Sequence, residues 1–111
     1  MSAGAKTELV TFERETNTRR PGGGMDAAWS AIGTAWAKVD WIGGGEADRS
    51  GAVRATSKYR FTVYAAAVEA LALTPKDRIA WGGERYNIRE RPRALIAKPD
   101  IEIIAESGVT D

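Results

Sequence analysis

The chain has no cysteine and no histidine among its 111 residues. The first absence removes disulfides, thiolate nucleophiles and thiolate zinc sites; the second removes imidazole ligands and the usual base of a serine or cysteine triad. Most familiar hydrolytic chemistry goes with them, and the chain is expected to be no enzyme, with no catalytic residue, metal site or cofactor. An excess of charge of one sign is missing too. The 16 Lys+Arg face 15 Asp+Glu, a formal charge of +1, too even to announce a nucleic-acid or anionic-membrane partner. Long apolar runs are absent as well. The longest nearly uncharged stretch, Thr62–Thr74, is interrupted by Glu69 and rich in Ala, well short of the roughly 20 apolar residues of a membrane span. The opening Met1–Glu8 lacks the apolar core of a signal peptide, so the expected compartment is aqueous, the cytoplasm, with no membrane partner. What remains is 43% apolar and 28% charged, the balance of a globular chain that fits one domain over residues 1–111.

The apolar pattern favours strands. Leu9–Arg14 is short, β-branched and aromatic, and reads as a first strand. Pro21 and the glycines 22–24 make residues 16–26 a mobile loop. The alanines at 27, 28, 31 and 35 favour a helical start to the next segment, but Ala35, Ala37, Val39 and Trp41 then alternate with Trp36, Lys38, Asp40 and Ile42, so Thr34–Ile42 is expected as a strand. On that alternation Trp36 and Trp41 face opposite ways, one into the core and the other free for an interface. Residues 43–57 hold four glycines, mixed charges and almost no large apolar side chain, and are expected to be the most exposed and flexible long loop.

Tyr59, Phe61, Val63 and Ala65 alternate with Arg60, Thr62 and Tyr64, the clearest strand pattern in the chain. Pro75 sets a tight corner before Arg78–Trp81, and Gly82-Gly83 links that strand to Glu84–Glu90 as a two-residue hairpin, because both positions tolerate positive φ. A longer loop with Pro92 and Pro99 precedes a last strand at Asp100–Glu106. Residues 1–7 and the tail 107–111 are expected to be flexible. About six short strands with at most a short helix point to a mainly β, small antiparallel barrel or sandwich.

Neither glycine cluster carries the Lys-Ser/Thr of a phosphate-binding loop or a strand–GxGxxG–helix frame. Acidic pairs such as Asp40 with Glu46, or Glu84 with Glu90, have no visible common pocket, and a solvated surface explains them. Arg85, Arg89, Arg91 and Arg93 form the densest basic stretch. Arg85 and Arg89 share a strand face able to meet phosphate, although an edge strand charged against aggregation accounts for the same residues. The tryptophans at 29, 36, 41 and 81 could stack on single-stranded nucleic acid; core packing and protein interfaces are the simpler use.

The order of segments resembles the phage head–tail joining, or head-closure, family, which also occurs in phage-like gene transfer particles. The resemblance rests on Trp29-Ser30-Ala31-Ile32-Gly33-Thr34-Ala35-Trp36-Ala37-Lys38-Val39, on the strand Tyr59–Tyr64, and above all on Thr74-Pro75-Lys76-Asp77-Arg78-Ile79-Ala80-Trp81-Gly82-Gly83-Glu84-Arg85-Tyr86-Asn87-Ile88. It spans about Leu9 to Glu106 and departs in the short, Ala-rich Ala65–Leu73 connection and in Pro92–Pro99.

The resemblance implies a structural ring of six or twelve copies at the neck of a tailed phage or gene transfer particle, assembled in the host cytoplasm. Portal and adaptor proteins would lie above it, and the tail terminator and tail tube below. It also implies that the 43–57 segment is either a channel gate or an ordered docking arm, with Gly43, Gly44, Gly45, Glu46, Asp48, Arg49 and Arg54 as its working residues. Arg49 and Arg54 would touch passing double-stranded DNA while Glu46 and Asp48 keep the contact weak. Trp36, Trp41, Trp81, Tyr86, Arg85 and Arg89 are the interface candidates. A tail terminator ring and a small nucleic-acid-binding β-barrel are the alternatives.

Overall fold

The computed structural model describes residues 5–49, 52–95 and 98–107. Seven strands make one antiparallel sheet: β1 (Glu8–Arg19), β2 (Met25–Arg49), β3 (Ala52–Tyr64), β4 (Arg78–Trp81), β5 (Glu84–Ile88), β6 (Arg93–Ala94) and β7 (Asp100–Ser107). Neighbours run in the order β3-β2-β1-β4-β5-β7-β6, and β7 also pairs with β3 along Ser57–Tyr64. The pairing circuit through β1, β2, β3, β7, β5 and β4 therefore closes on itself, which satisfies backbone groups that an open sheet would leave at two edges. The expected mainly β, antiparallel architecture holds, with one strand more than the sequence pattern suggested.

Period-two alternation fills the inside of this circuit. Val10 and Phe12 from β1, Phe61 and Val63 from β3, Ile79 from β4, Ile88 from β5 and Ile103 from β7 are buried together, and each such side chain contributes roughly 1.5–3 kcal/mol on leaving water. β2 buries the small Ala35 and Ala37 in this layer and packs Ile32 and Val39 at its margin. Tyr59, Phe61, Trp81 and Tyr86 stack mostly edge to face, with Tyr59 and Trp81 rings 5.3 Å apart, the arrangement that aromatic quadrupoles favour. A single helical turn, α1 (Ala65–Val68), and a 3₁₀ turn at Glu69–Leu71 bring Val68 and Leu73 onto the cluster. Ala72 ends the turn in the left-handed region at φ 51°.

Three expectations are corrected here. The segment 16–26 is no loop: Thr16 pairs with Ala28 and Arg19 with Met25. The reversal is confined to Arg20–Gly24, where Gly22, Gly23 and Gly24 all take positive φ and Arg20 exchanges backbone bonds with Gly23 and Gly24. The alanines from Ala27 onward are strand, because ladder bonds to β1 outweigh a helix propensity of a few tenths of a kcal/mol per residue. The segment 43–57 is likewise a hairpin, with Gly44 opposite Ser57, Glu46 opposite Ala55 and Arg49 opposite Ala52.

β2 is thus 25 residues long. Straight, it would span roughly 80 Å at about 3.3 Å per residue, yet the longest dimension of the molecule is 56 Å. Register shifts at Phe12/Glu13 and Trp41/Gly43 bend it around the body, as bulges do. Its two ends leave the body as two-stranded ribbons, one with β1 and one with β3. The radius of gyration, 15.7 Å, accordingly exceeds the roughly 13 Å of a compact chain this long.

At the termini, Lys6 is held rather than flexible: its side chain is nearly buried, 3.1 Å from Asp100 and over the Tyr64 ring. Ser107 belongs to β7, while residues 1–4 and 108–111 of the expected flexible ends lie outside the described residues.

Candidate interaction surfaces

The most tightly built feature outside the core is the Thr74–Asp77 corner. Pro75 fixes φ at the turn, and Asp77 closes it: its N–H donates to the Thr74 carbonyl (2.9 Å) and its Oδ2 accepts the Thr74 N–H (3.0 Å). The carboxyl is buried, and Arg14 of β1 meets it in a two-point contact, Nε to Oδ1 at 2.9 Å and Nη2 to Oδ2 at 3.0 Å. The same Nη2 donates to the Leu71 carbonyl at 2.7 Å, satisfying an end of the 3₁₀ turn. Burial pushes the Asp77 carboxyl up, but the Arg14 hydrogen bond, the Thr74 donors and the Arg14 charge outweigh it and hold the group below its ordinary range. Arg14 is correspondingly raised, first by its bond to Asp77. Tyr86 is raised chiefly by burial.

Next to this lock, Glu13 accepts Arg78 Nε at 2.6 Å and lies 3.2 Å from Arg85 Nε, while the Arg78 guanidinium sits 4.0 Å above the Trp29 ring. Glu13-Arg14 of β1 and Asp77-Arg78 at the start of β4 therefore pair crosswise, tying the base of the first ribbon to the corner. Sequence reasoning missed Glu13, Arg14 and Lys6 altogether. The available signal was a Thr-Pro-x-Asp turn whose acid, if buried, needs a cation.

The interface candidates separate once placed. Trp36 is 55% exposed and Trp41 64%, so the expectation that one of them fills the core is corrected. They do lie on opposite sides of β2, but Trp41, on the inward side, comes after the core has ended, just before the bulge that starts the second ribbon. Tyr86 is buried at 5% exposure, and Trp81 is half-buried against it with its indole N–H on Glu8 at 3.1 Å. Both serve the protomer's own core.

Leu9 stands opposite Trp36, and Tyr64 follows Val63, the partner of Ala37's row. Leu9, Trp36 and Tyr64 thus form one outward row, each about half exposed. Elsewhere its outside carries ion pairs: Arg89 with Glu106 at 3.7 Å, and Arg60 and Arg93 sharing Glu102. Arg85 and Arg89 are therefore each matched by an acid, which weakens any claim on phosphate.

The 43–57 residues stand in the second ribbon. Gly43 sits at the bulge opposite Lys58, Gly45 faces Thr56, Ala47 faces Arg54 and Asp48 faces Val53. Among the described residues β7 accompanies this ribbon only as far as Ser57, while β2 and β3 stay paired on to Arg49 and Ala52. Among the described residues no group of three or more acidic side chains gathers to hold a metal ion, and no helix is long and apolar enough to cross a membrane.

Comparison with known proteins bears on these surfaces. The family model described as phage head completion protein matches residues 1–107. Among solved structures, the chain is similar to one from the virion of a native gene transfer agent particle, at 22% identity and TM-score 0.72, covering 95% of this chain and 96% of that one. It is also similar to protein SF1141 from Shigella flexneri 2a, at 19% identity and TM-score 0.68, with both chains covered in full. No curated protein sequence matches.

Proposed function

Since this chain belongs to the phage head completion protein family, we propose that it closes the head and joins it to the tail in a phage or gene transfer particle, as a ring between portal or adaptor and tail, without catalysis. The observation that carries the proposal is the family match over nearly the whole chain. The likeness to a chain of a gene transfer agent virion supports the setting. The shape suits such a role, because a closed body supplies a rigid ring segment and two ribbons reach beyond it toward neighbours. Of the two roles considered for residues 43–57, an ordered docking arm is favoured by their ladder pairing with β3, since a paired ribbon keeps one direction where an unpaired loop would not.

Cryo-electron microscopy of the parent particle tests this directly. A ring of this chain between portal and tail is the expected result; particles whose neck contains no density for it would overturn the role.

A further inference from the structure

The first ribbon has an open edge where it leaves the body. β4 pairs with β1 only from Thr11 to Glu13, because β4 begins at Arg78, whereas β1 continues beside β2 to Arg19. From Arg14 to Arg19 the side of β1 away from β2 therefore carries no strand among the described residues. That stretch spans roughly 20 Å at about 3.3 Å per residue. No proline and no further register shift guards it, although these are devices by which exposed edges refuse a second strand.

A cleft of about 760 Å³ lies beside this stretch, within the size range of sites that take up a ligand. Glu15 and Asn17 of β1, with Trp29 opposite Glu15 on β2, line it together with Pro75 and Lys76 of the corner and with Arg89, which follows β5. Arg14 and Asp77, also in its wall, satisfy each other, and Arg89 lies 3.7 Å from Glu106. Lys76 and Glu15 differ from these. Both are exposed, and among the described residues neither side chain has a hydrogen bond or an ion pair.

Two unmatched charges of opposite sign, an aromatic ring and an open strand edge are the parts of a site for an extended peptide: the edge supplies main-chain hydrogen bonds and the side chains select the sequence. The described strands of this chain are all paired within it, leaving none to lend to a second copy, so the added strand belongs to a different protein. We infer that the cleft between the first ribbon and the Thr74–Asp77 corner takes an extended segment of another neck protein, added as a strand to β1 along Arg14–Arg19, with an acidic side chain at Lys76 and a basic one at Glu15. That the partner is a neck protein rests on the function proposed above.

Photocrosslinking in the parent particle tests the inference, with p-benzoylphenylalanine in place of Asn17 or of Trp29. Irradiation is expected to join both positions to one stretch of a different neck protein, identified by mass spectrometry, and that stretch to contain Asp or Glu. Particles that contain the chain but give no adduct, or adducts only to DNA or to this chain itself, overturn the inference and leave the neck role standing. Particles without the chain overturn the neck role and the partner with it. A charge exchange gives a second reading. Lys76→Glu alters a side chain that holds nothing in the fold, so the purified variant is expected to melt within a few degrees of the parent, while the yield of tailed particles falls about tenfold. Lys in place of the acid in the crosslinked segment is then expected to restore the yield. Full yield from Lys76→Glu alone, or no recovery in the exchanged pair, would sink the inference.

Discussion

A buried carboxylate is tolerable only when its partner is present, and Asp77 depends on Arg14 for this. Arg14→Met keeps the apolar stem but removes the guanidinium, leaving the Asp77 charge buried without it and the Leu71 carbonyl without that donor. Because Arg14 is itself partly exposed, the expected loss is near the low end for a broken buried pair, about 3 kcal/mol, read from urea denaturation of the purified protein. The pH dependence has a fixed sign. The folded-state pKa of Asp77 is lowered, so its stabilisation is fully present above the unfolded value of about 3.9 and is lost as pH falls through the lower folded value. Stability should therefore fall on acidification below about pH 4, and Asp77→Asn should flatten that limb while lowering stability at neutral pH. An unchanged acid limb in the variant would count against the lock.

Gly33 illustrates a different constraint. A Cβ there would come within 2.9 Å of Leu71 Cδ1 and 3.1 Å of Cδ2, so the 3₁₀ turn rests directly on the β2 backbone. Gly33→Val is expected to cost about 1–3 kcal/mol by overpacking, with part of the loss recovered in Gly33→Val/Leu71→Ala; thermal melts of the two variants decide it. Trp36 makes the opposite case. Its half-exposed ring contributes little to the core, so Trp36→Ala should change stability by less than about 1 kcal/mol while lowering particle assembly if the outward row is an interface. Equal loss of both would mark it as a packing residue.

At the scale of elements, both ribbons extend outside the closed pairing circuit, so their outer ends can be altered without breaking it. Replacing Glu46–Ala55 with a two-residue turn of Asn and Gly keeps Gly45 opposite Thr56 and supplies the φ values a tight hairpin needs. The shortened protein is expected to melt within a few degrees of the parent, and particles carrying it to lose DNA or fail to join tails. Normal yields of full, tailed particles would remove the arm from the mechanism. These ribbons were the elements least legible in the sequence. Glycines 22–24 and 43–45 read as flexible because composition reports what a residue permits; whether the flanking strands pair depends on partners that only the fold brings alongside. The Gly82-Gly83 hairpin was legible because its two glycines sit between short alternating strands, and they take φ of 60° and 82° as the turn requires.

For the whole molecule, the closed circuit and the segregated exterior divide the labour. The buried core draws on β1, β2, β3, β4, β5, β7 and α1 of one copy, whereas Leu9, Trp36 and Tyr64 stand about half exposed on the outside. Such a protomer suits assembly, in which contacts too small to hold two copies in solution add up around a ring.

By itself the sequence determined the inward strand faces, the Thr74–Asp77 corner, the tight Gly82-Gly83 turn and the family, because each depends on local periodicity, turn chemistry or a contiguous motif. Only the tertiary structure decided that Arg14 reaches Asp77 across 63 residues, that Trp36 and Trp41 are both exposed, and that residues 16–19 pair with 25–28 as a ribbon. Those outcomes depend on which strands become neighbours and in what register, and a one-residue slip in register would turn every side chain of the slipped strand to the other face.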